Sequence, residues 1–110
     1  MYALIGDIGN TITKVCLIET TTYQIKKMGY FKSNNISSKN FLYNNLKKII
    51  KKKSIHKVAL FSSVVPKYQS ILKKLLKKIY KIKLREIKEK GINKIIKINY
   101  FFYFESVFLN

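Results

Sequence analysis

Apolar positions follow two alternating patterns along this chain, one suited to strands and one suited to helices. Tyr2–Ile8 and residues 12–18 are short, nearly continuous apolar runs of the kind that fill strands covered on both faces. Gly9 lies between them and permits a tight turn with close backbone approach. Residues 22–31 supply a third strand of irregular alternation. Tyr23 and Ile25 share one parity and Met28 and Tyr30 the other, so a bulge or turn is expected near Lys27. The three strands form a meander.

The pattern then changes period. Residues 33–39 are polar and read as a loop leading to a helix start, with Ser37 or Ser38 able to accept from exposed amides. Leu42, Leu46, Ile49 and Ile50 recur at helical spacing and leave Lys47, Lys48 and Lys51 toward solvent. Residues 58–61 read as a central strand running into Ser62-Ser63-Val64-Val65-Pro66. The proline holds Val65 extended and is itself suited to a first helical turn. Ile71, Leu72, Leu75, Leu76 and Ile79 mark the stripe of a second helix, and residues 82–87 a short strand. Gly91 interrupts the pattern before residues 95–104, where Ile96, Ile98, Tyr100, Phe102 and Phe104 occupy one parity and Phe101 and Tyr103 the other. Both faces of that last run are apolar. The fold class is therefore α/β, in the order βββαβαβ, with a mixed sheet and helices.

Composition narrows the choice. A length of 110 residues allows one modest domain, and a hydrophobic fraction of 47% argues against a disordered chain. The formal charge of +18 makes polyanions the first partners to consider. Lys47, Lys48, Lys73, Lys74, Lys77 and Lys78 would supply the phosphate attraction of a small nucleic-acid-binding protein. Against that, Arg85 is the sole arginine, and arginine is the side chain best suited to bidentate contacts with bases and phosphates. The lysines occupy the polar sides of helices, among Ile, Asn, Tyr and Phe. All of these have AT-rich codons, so nucleotide bias accounts for much of the charge, and no dedicated nucleic-acid partner is favoured. A noncatalytic interaction module, pairing through the aromatic tail, is a further alternative. Cys16 is the single cysteine and sits in an apolar run, as a buried structural thiol in a reducing cytoplasm would. Asp7 precludes a long apolar leader, and residues 98–109 fall short of a bilayer span, so no membrane span is expected. His56 has no second histidine to join it and reads as a strand-edge polar residue.

Chemistry concentrates in Asp7-Ile8-Gly9-Asn10-Thr11-Ile12-Thr13-Lys14. A carboxylate leaving an apolar strand can organise a magnesium ion or its waters, and a glycine admits phosphate oxygens to the backbone. Hydroxyls and amides add donors, and Lys14 adds a positive charge on the next strand. A polar hairpin with a solvent-facing lysine fits the same spacing, and spacing alone leaves the two readings even. The segment has neither the GxxxxGK[ST] nor the GxGxxG arrangement, so any phosphate grip would be a strand-turn-strand clamp.

Asp7-Ile8-Gly9-Asn10-Thr11 resembles the first phosphate motif of the type III pantothenate kinases, members of the superfamily that includes actin and the sugar kinases. Ser62-Ser63-Val64-Val65-Pro66 resembles a second element of that family at about the expected distance. Gly91-Ile92-Asn93-Lys94-Ile95-Ile96-Lys97-Ile98-Asn99-Tyr100 resembles its approach to the pantothenate pocket. The resemblance covers roughly residues 1–100 and implies a partial actin-like, ribonuclease H-like lobe. It implies ATP-dependent phosphorylation of pantothenate, the first step toward coenzyme A, with ATP, Mg2+ and a monovalent cation such as K+ as cofactors and a homodimer as the assembly. Carried over by position, Asp7 would place Mg-ATP, Gly9 to Thr11 would wrap phosphate, Lys14 would face it and Tyr100 would border pantothenate. After Tyr100 the likeness stops. Residues 101–110 read as a divergent hydrophobic tail, and nothing around Glu105 matches the family's base. The expectation is an amino-terminal portion without its second lobe, inactive alone.

Overall fold

The computed structural model describes residues 1–51 and 54–87. The three opening apolar runs form β1 (Tyr2–Ile8), β2 (Ile12–Glu19) and β3 (Ile25–Lys32). A 3-10 turn over Ser33–Ser37 leads into α1 (Lys39–Ile49), and β4 (Val58–Ser63) and α2 (Pro66–Leu75) follow. One π turn over Leu76–Tyr80 extends α2 before β5 (Lys83–Glu86). The sheet order is β3-β2-β1-β4-β5. Its first three strands are an antiparallel meander, and β4 and β5 join parallel to β1. The expected α/β order holds through β5. Residues 91–104, with the apolar run before the tail and Tyr100, and the tail at 101–110 lie outside the described residues.

Both crossovers run the same way along the sheet, so with the usual handedness their helices fall on one face. The core shows this directly. Leu4 and Ile8 of β1, Val15 and Leu17 of β2, Phe31, Ala59, Phe61 and Leu84 pack with Leu42, Leu46 and Ile49 of α1 and Leu72 of α2. The opposite face has its own smaller buried cluster of Ala3, Ile5, Cys16, Ile18, Leu60 and Ile87. The strand residues are thus buried on both sides, which is why they read as continuous apolar runs. Cys16 lies in that second cluster, and burial pushes its thiol up to about 12, the state of an inert structural cysteine.

Three local features differ from the sequence pattern: the start of the third strand, the stretch after it and the exposure of Ile79. The third strand begins at Ile25 because the Glu19 carboxylate accepts from the amides of Thr21 and Thr22, at 3.0 and 2.7 Å, and holds a turn there. Those bonds draw the Glu19 carboxyl down to about 2. Tyr23 takes a left-handed φ of 60° to leave the turn. The expected irregularity is present: Leu17 pairs with Lys27 and Ile18 with Ile25, so Lys26 is the extra residue. The polar stretch after β3 is a 3-10 turn, and of the two candidate caps it is Ser38 whose side chain accepts from Phe41. Ile79 is 41% exposed because the π turn adds a residue per turn and rotates it off the apolar stripe.

Gly6 is required by close packing. A methyl group added there would overlap the Phe61 ring, which packs in the core cluster shared with the helices. Gly6→Ala is expected to destabilise the chain by about 1–3 kcal/mol, as overpacked cores do, measured as a lower urea midpoint with an unchanged slope.

Candidate phosphate-binding site

The register of the sheet gathers the polar residues of its upper end into one row. Tyr30 of β3 stands opposite Lys14 of β2, Lys14 opposite Asp7 of β1, and Asp7 opposite Ser62 of β4. Side chains of directly paired residues leave the sheet on the same face, so the four stand abreast. The next pairs inward, Met28 with Cys16, Cys16 with Ile5 and Ile5 with Leu60, are apolar. The row is therefore the point at which a greasy sheet face turns polar, at the carboxyl ends of the parallel strands β1 and β4. Ligands of open α/β sheets bind at such ends.

The turn from β1 to β2 sits on this edge. Gly9 donates to the Ile12 carbonyl at 3.1 Å, and a side chain on Gly9 would stand 2.8 Å from that same oxygen, so only glycine fits. Asn10 and Thr11 are exposed at the tip. The turn is fastened from behind by Ser33, a fully buried residue that opens the 3-10 turn. Its amide donates to the Thr11 carbonyl at 2.8 Å and its hydroxyl to the Gly9 carbonyl at 2.7 Å. Thr13, also fully buried, places its hydroxyl 2.7 Å from that of Ser33. Beside the turn, the amide of Val64 donates to the Ile8 carbonyl at 3.1 Å and ties the exit of β4 to the exit of β1. Pro66 then starts α2, with Val65 extended before it as expected.

Asp7 is the electrostatic centre of the row. Partial burial pushes its carboxyl up from the usual carboxylate range, while the Lys14 ammonium and a hydrogen bond from Ser62 pull in the other direction without fully offsetting it. A desolvated carboxylate that its neighbours do not fully compensate is suited to a cation. Among the described residues no cluster of three metal-ligating side chains exists, so a divalent ion here would draw most of its ligands from waters and from an anion. Magnesium bound with nucleotide phosphates has that coordination habit. The other described carboxylates are engaged elsewhere: Glu19 in its turn at the far end of β2, and Glu86 with the Ser63 amide at 3.1 Å.

The model of the type III pantothenate kinase family matches residues 3–105, nearly the whole chain. The chain belongs to the type III pantothenate kinase family. A type III pantothenate kinase of Pelagibacter ubique (strain HTCC1062) is 46% identical over 96 residues, which cover 86% of this chain and 38% of that protein. The chain thus spans well under half the length of this relative. The five-stranded mixed sheet with its two helices agrees with a partial actin-like fold.

Within this member of the pantothenate kinase family, the residues singled out from sequence divide by face. Asp7 and Lys14 share the polar row, and Gly9, Asn10 and Thr11 form the adjoining turn. Ile12 follows at 42% exposure. Ile8 and Thr13 turn to the helix-covered face and are buried, so they frame the turn from within. Tyr100 lies outside the described residues. Ser33 and Ser62 carried no signal of their own in the sequence. Ser62 stood inside a recognised element, whereas Ser33 becomes visible only once β3 is laid beside β2.

The raised Asp7 carboxyl has a consequence for stability. A carboxyl whose folded value exceeds its unfolded value favours folding when protonated, and that contribution is lost as pH rises through the folded value. Asp7→Asn is therefore expected to be more stable than the parent at pH 7 without ligand, with the difference closing as the pH falls toward about 4, near the unfolded value. Urea unfolding at a series of pH values measures it; a variant less stable than the parent at pH 7 would show that the carboxylate is a net structural asset.

Proposed function

We propose that this chain supplies the phosphate-holding wall of the ATP site in a pantothenate kinase, with residues 1–100 as the nucleotide-binding lobe. The supporting observation is the convergence of the polar row and the glycine turn on one sheet edge, in a chain of this family. Asp7 would hold Mg2+ through waters and phosphate oxygens, the turn would present amides to the phosphates, and Lys14 would offset their charge. Phosphoryl transfer depends on such positioning and charge neutralisation more than on covalent chemistry. Magnesium supplies neutralisation of the phosphate oxygens when bound. By resemblance, Tyr100 would border pantothenate.

One wall does not make the reaction. Asp7 is the only described carboxylate in the row, and its role toward a cation leaves no second group there to take a proton from the pantothenate hydroxyl. The reading is thus of ATP binding without turnover by these 110 residues, and of pantothenate phosphorylation where a facing lobe completes the cleft.

Binding is best measured by calorimetry near 0.15 M salt, where the Debye length of about 8 Å suppresses diffuse attraction of ATP to a chain of charge +18. Mg-ATP is expected to bind, and Asp7→Asn to weaken it roughly 10- to 100-fold, the equivalent of about 1.5–3 kcal/mol for a lost charged partner. Equal affinity in both proteins would place the nucleotide elsewhere. In a coupled assay, the chain alone is expected to show no Mg- and ATP-dependent phosphorylation of pantothenate; a rate above background that disappears in Asp7→Asn would instead show a complete active site.

A further inference from the structure

We infer that Ser33, 24 residues from Gly9 in sequence, is the positioning residue that aims the anion-binding amides of the turn; this rests on the phosphate-site reading above. A serine hydroxyl has one proton to give. At Ser33 that proton goes to the Gly9 carbonyl at 2.7 Å, so in the 2.7 Å contact with Thr13 it is Thr13 that donates. The Ser33 amide holds the Thr11 carbonyl at 2.8 Å. One buried residue thereby fixes the oxygens of two peptide planes, Gly9–Asn10 and Thr11–Ile12.

The consequence follows from peptide geometry. In a trans peptide the carbonyl and the N–H of one plane point in opposite directions, and no cis bond occurs among the described residues. With both oxygens drawn inward to Ser33, the N–H groups of Asn10 and Ile12 are turned away from it. Among the described residues the Asn10 amide donates to no main-chain acceptor, and Asn10 is exposed. The arrangement prepares an outward-directed donor before any ligand arrives. It also polarises that donor, since a carbonyl that accepts a strong hydrogen bond makes the N–H across the same amide a better one. Thr13 extends the chain by one member, with Thr13 donating to Ser33 and Ser33 donating to Gly9.

The device couples the turn to β3 and the 3-10 turn. Ser33 sits where β3 ends, so the position of the amides is set by a third strand as well as by the hairpin itself. A hairpin of the same sequence without this strap would be free to rotate its tip peptides, and each rotation would withdraw a donor from the anion.

The test compares Mg-ATP affinity with thermal stability in the 110-residue chain, using the parent, Ser33→Ala, Ser33→Thr and Thr13→Val. The parent measurement comes first, because a parent that does not bind Mg-ATP refutes the phosphate-site reading and this inference with it. Given binding, Ser33→Ala is expected to lose about tenfold in affinity at temperatures where its amide spectrum shows it folded, equivalent to about 1.4 kcal/mol. Ser33→Thr keeps the hydroxyl and should retain most of the affinity. Thr13→Val removes only the outer donor and should lose about two- to threefold, a fraction of one hydrogen bond. It also serves as the deciding variant if Ser33→Ala does not fold. A residue that merely holds the fold together would lower the melting temperature and leave the affinity of the folded protein unchanged. Parent-like affinity in folded Ser33→Ala, or in Thr13→Val where that variant decides, overturns the inference.

Discussion

The register of β1 against β2 is the constraint on which the rest of the site depends. Asp7 pairs with Lys14, and Ile5 with Cys16, so one face carries the polar row and, directly below it, an apolar floor. A slip of one residue would exchange every side chain between faces. Asp7 would then enter the layer beneath the helices, where Leu4, Ile8 and Phe61 now pack, and its neighbour Gly6 or Ile8 would take its place opposite Lys14. Both faces are buried along most of the strand, so the cost of such a slip is high on either side. The Gly9 turn fixes the same register from its end, through a contact that admits no side chain.

Some of this was legible in the sequence. Buried parallel and antiparallel strands announce themselves as continuous apolar runs, and the five strands and two helices follow those runs closely. Asp7 and Gly9 stood out as a carboxylate and a glycine at the close of an apolar strand, but their spacing alone fitted a plain polar hairpin equally well, and the family resemblance tipped the reading toward phosphate. Other features were hidden for specific reasons. The Glu19 turn delays β3 through side-chain bonds to Thr21 and Thr22 that no apolar period encodes. The π turn displaces Ile79 by changing the helical repeat within an otherwise regular stripe. Ser33 lay in a polar stretch that reads as loop, and its burial arises only from strand pairing across 20 residues to Thr13. Three-dimensional neighbours of a turn are invisible to any local reading.

Charge enters the account in two ways. The exposed lysines of α1 and α2 stand on the outer faces of helices whose inner faces supply Leu42, Leu46 and Leu72 to the core. They create a diffuse positive field that attracts any anion, without geometry. The polar row is different in kind. It holds one cation, one carboxylate and two hydroxyl-bearing side chains in a fixed register, and partial burial pushes its carboxyl up from the usual carboxylate range. Functional sites often retain such groups at some expense in stability. On the proposed function, specific nucleotide recognition would fall to the row and the turn, and the lysine faces would supply background attraction.

The most direct measurement is an amide NMR map of the isotopically labelled chain titrated with Mg-ATP near physiological salt. The account predicts that the largest and earliest shifts fall on Gly9, Asn10 and Thr11 and on the neighbours Asp7, Lys14 and Ser62. Shifts spread over the lysine faces around Lys47, Lys73 and Lys77, with the turn unmoved, would contradict it.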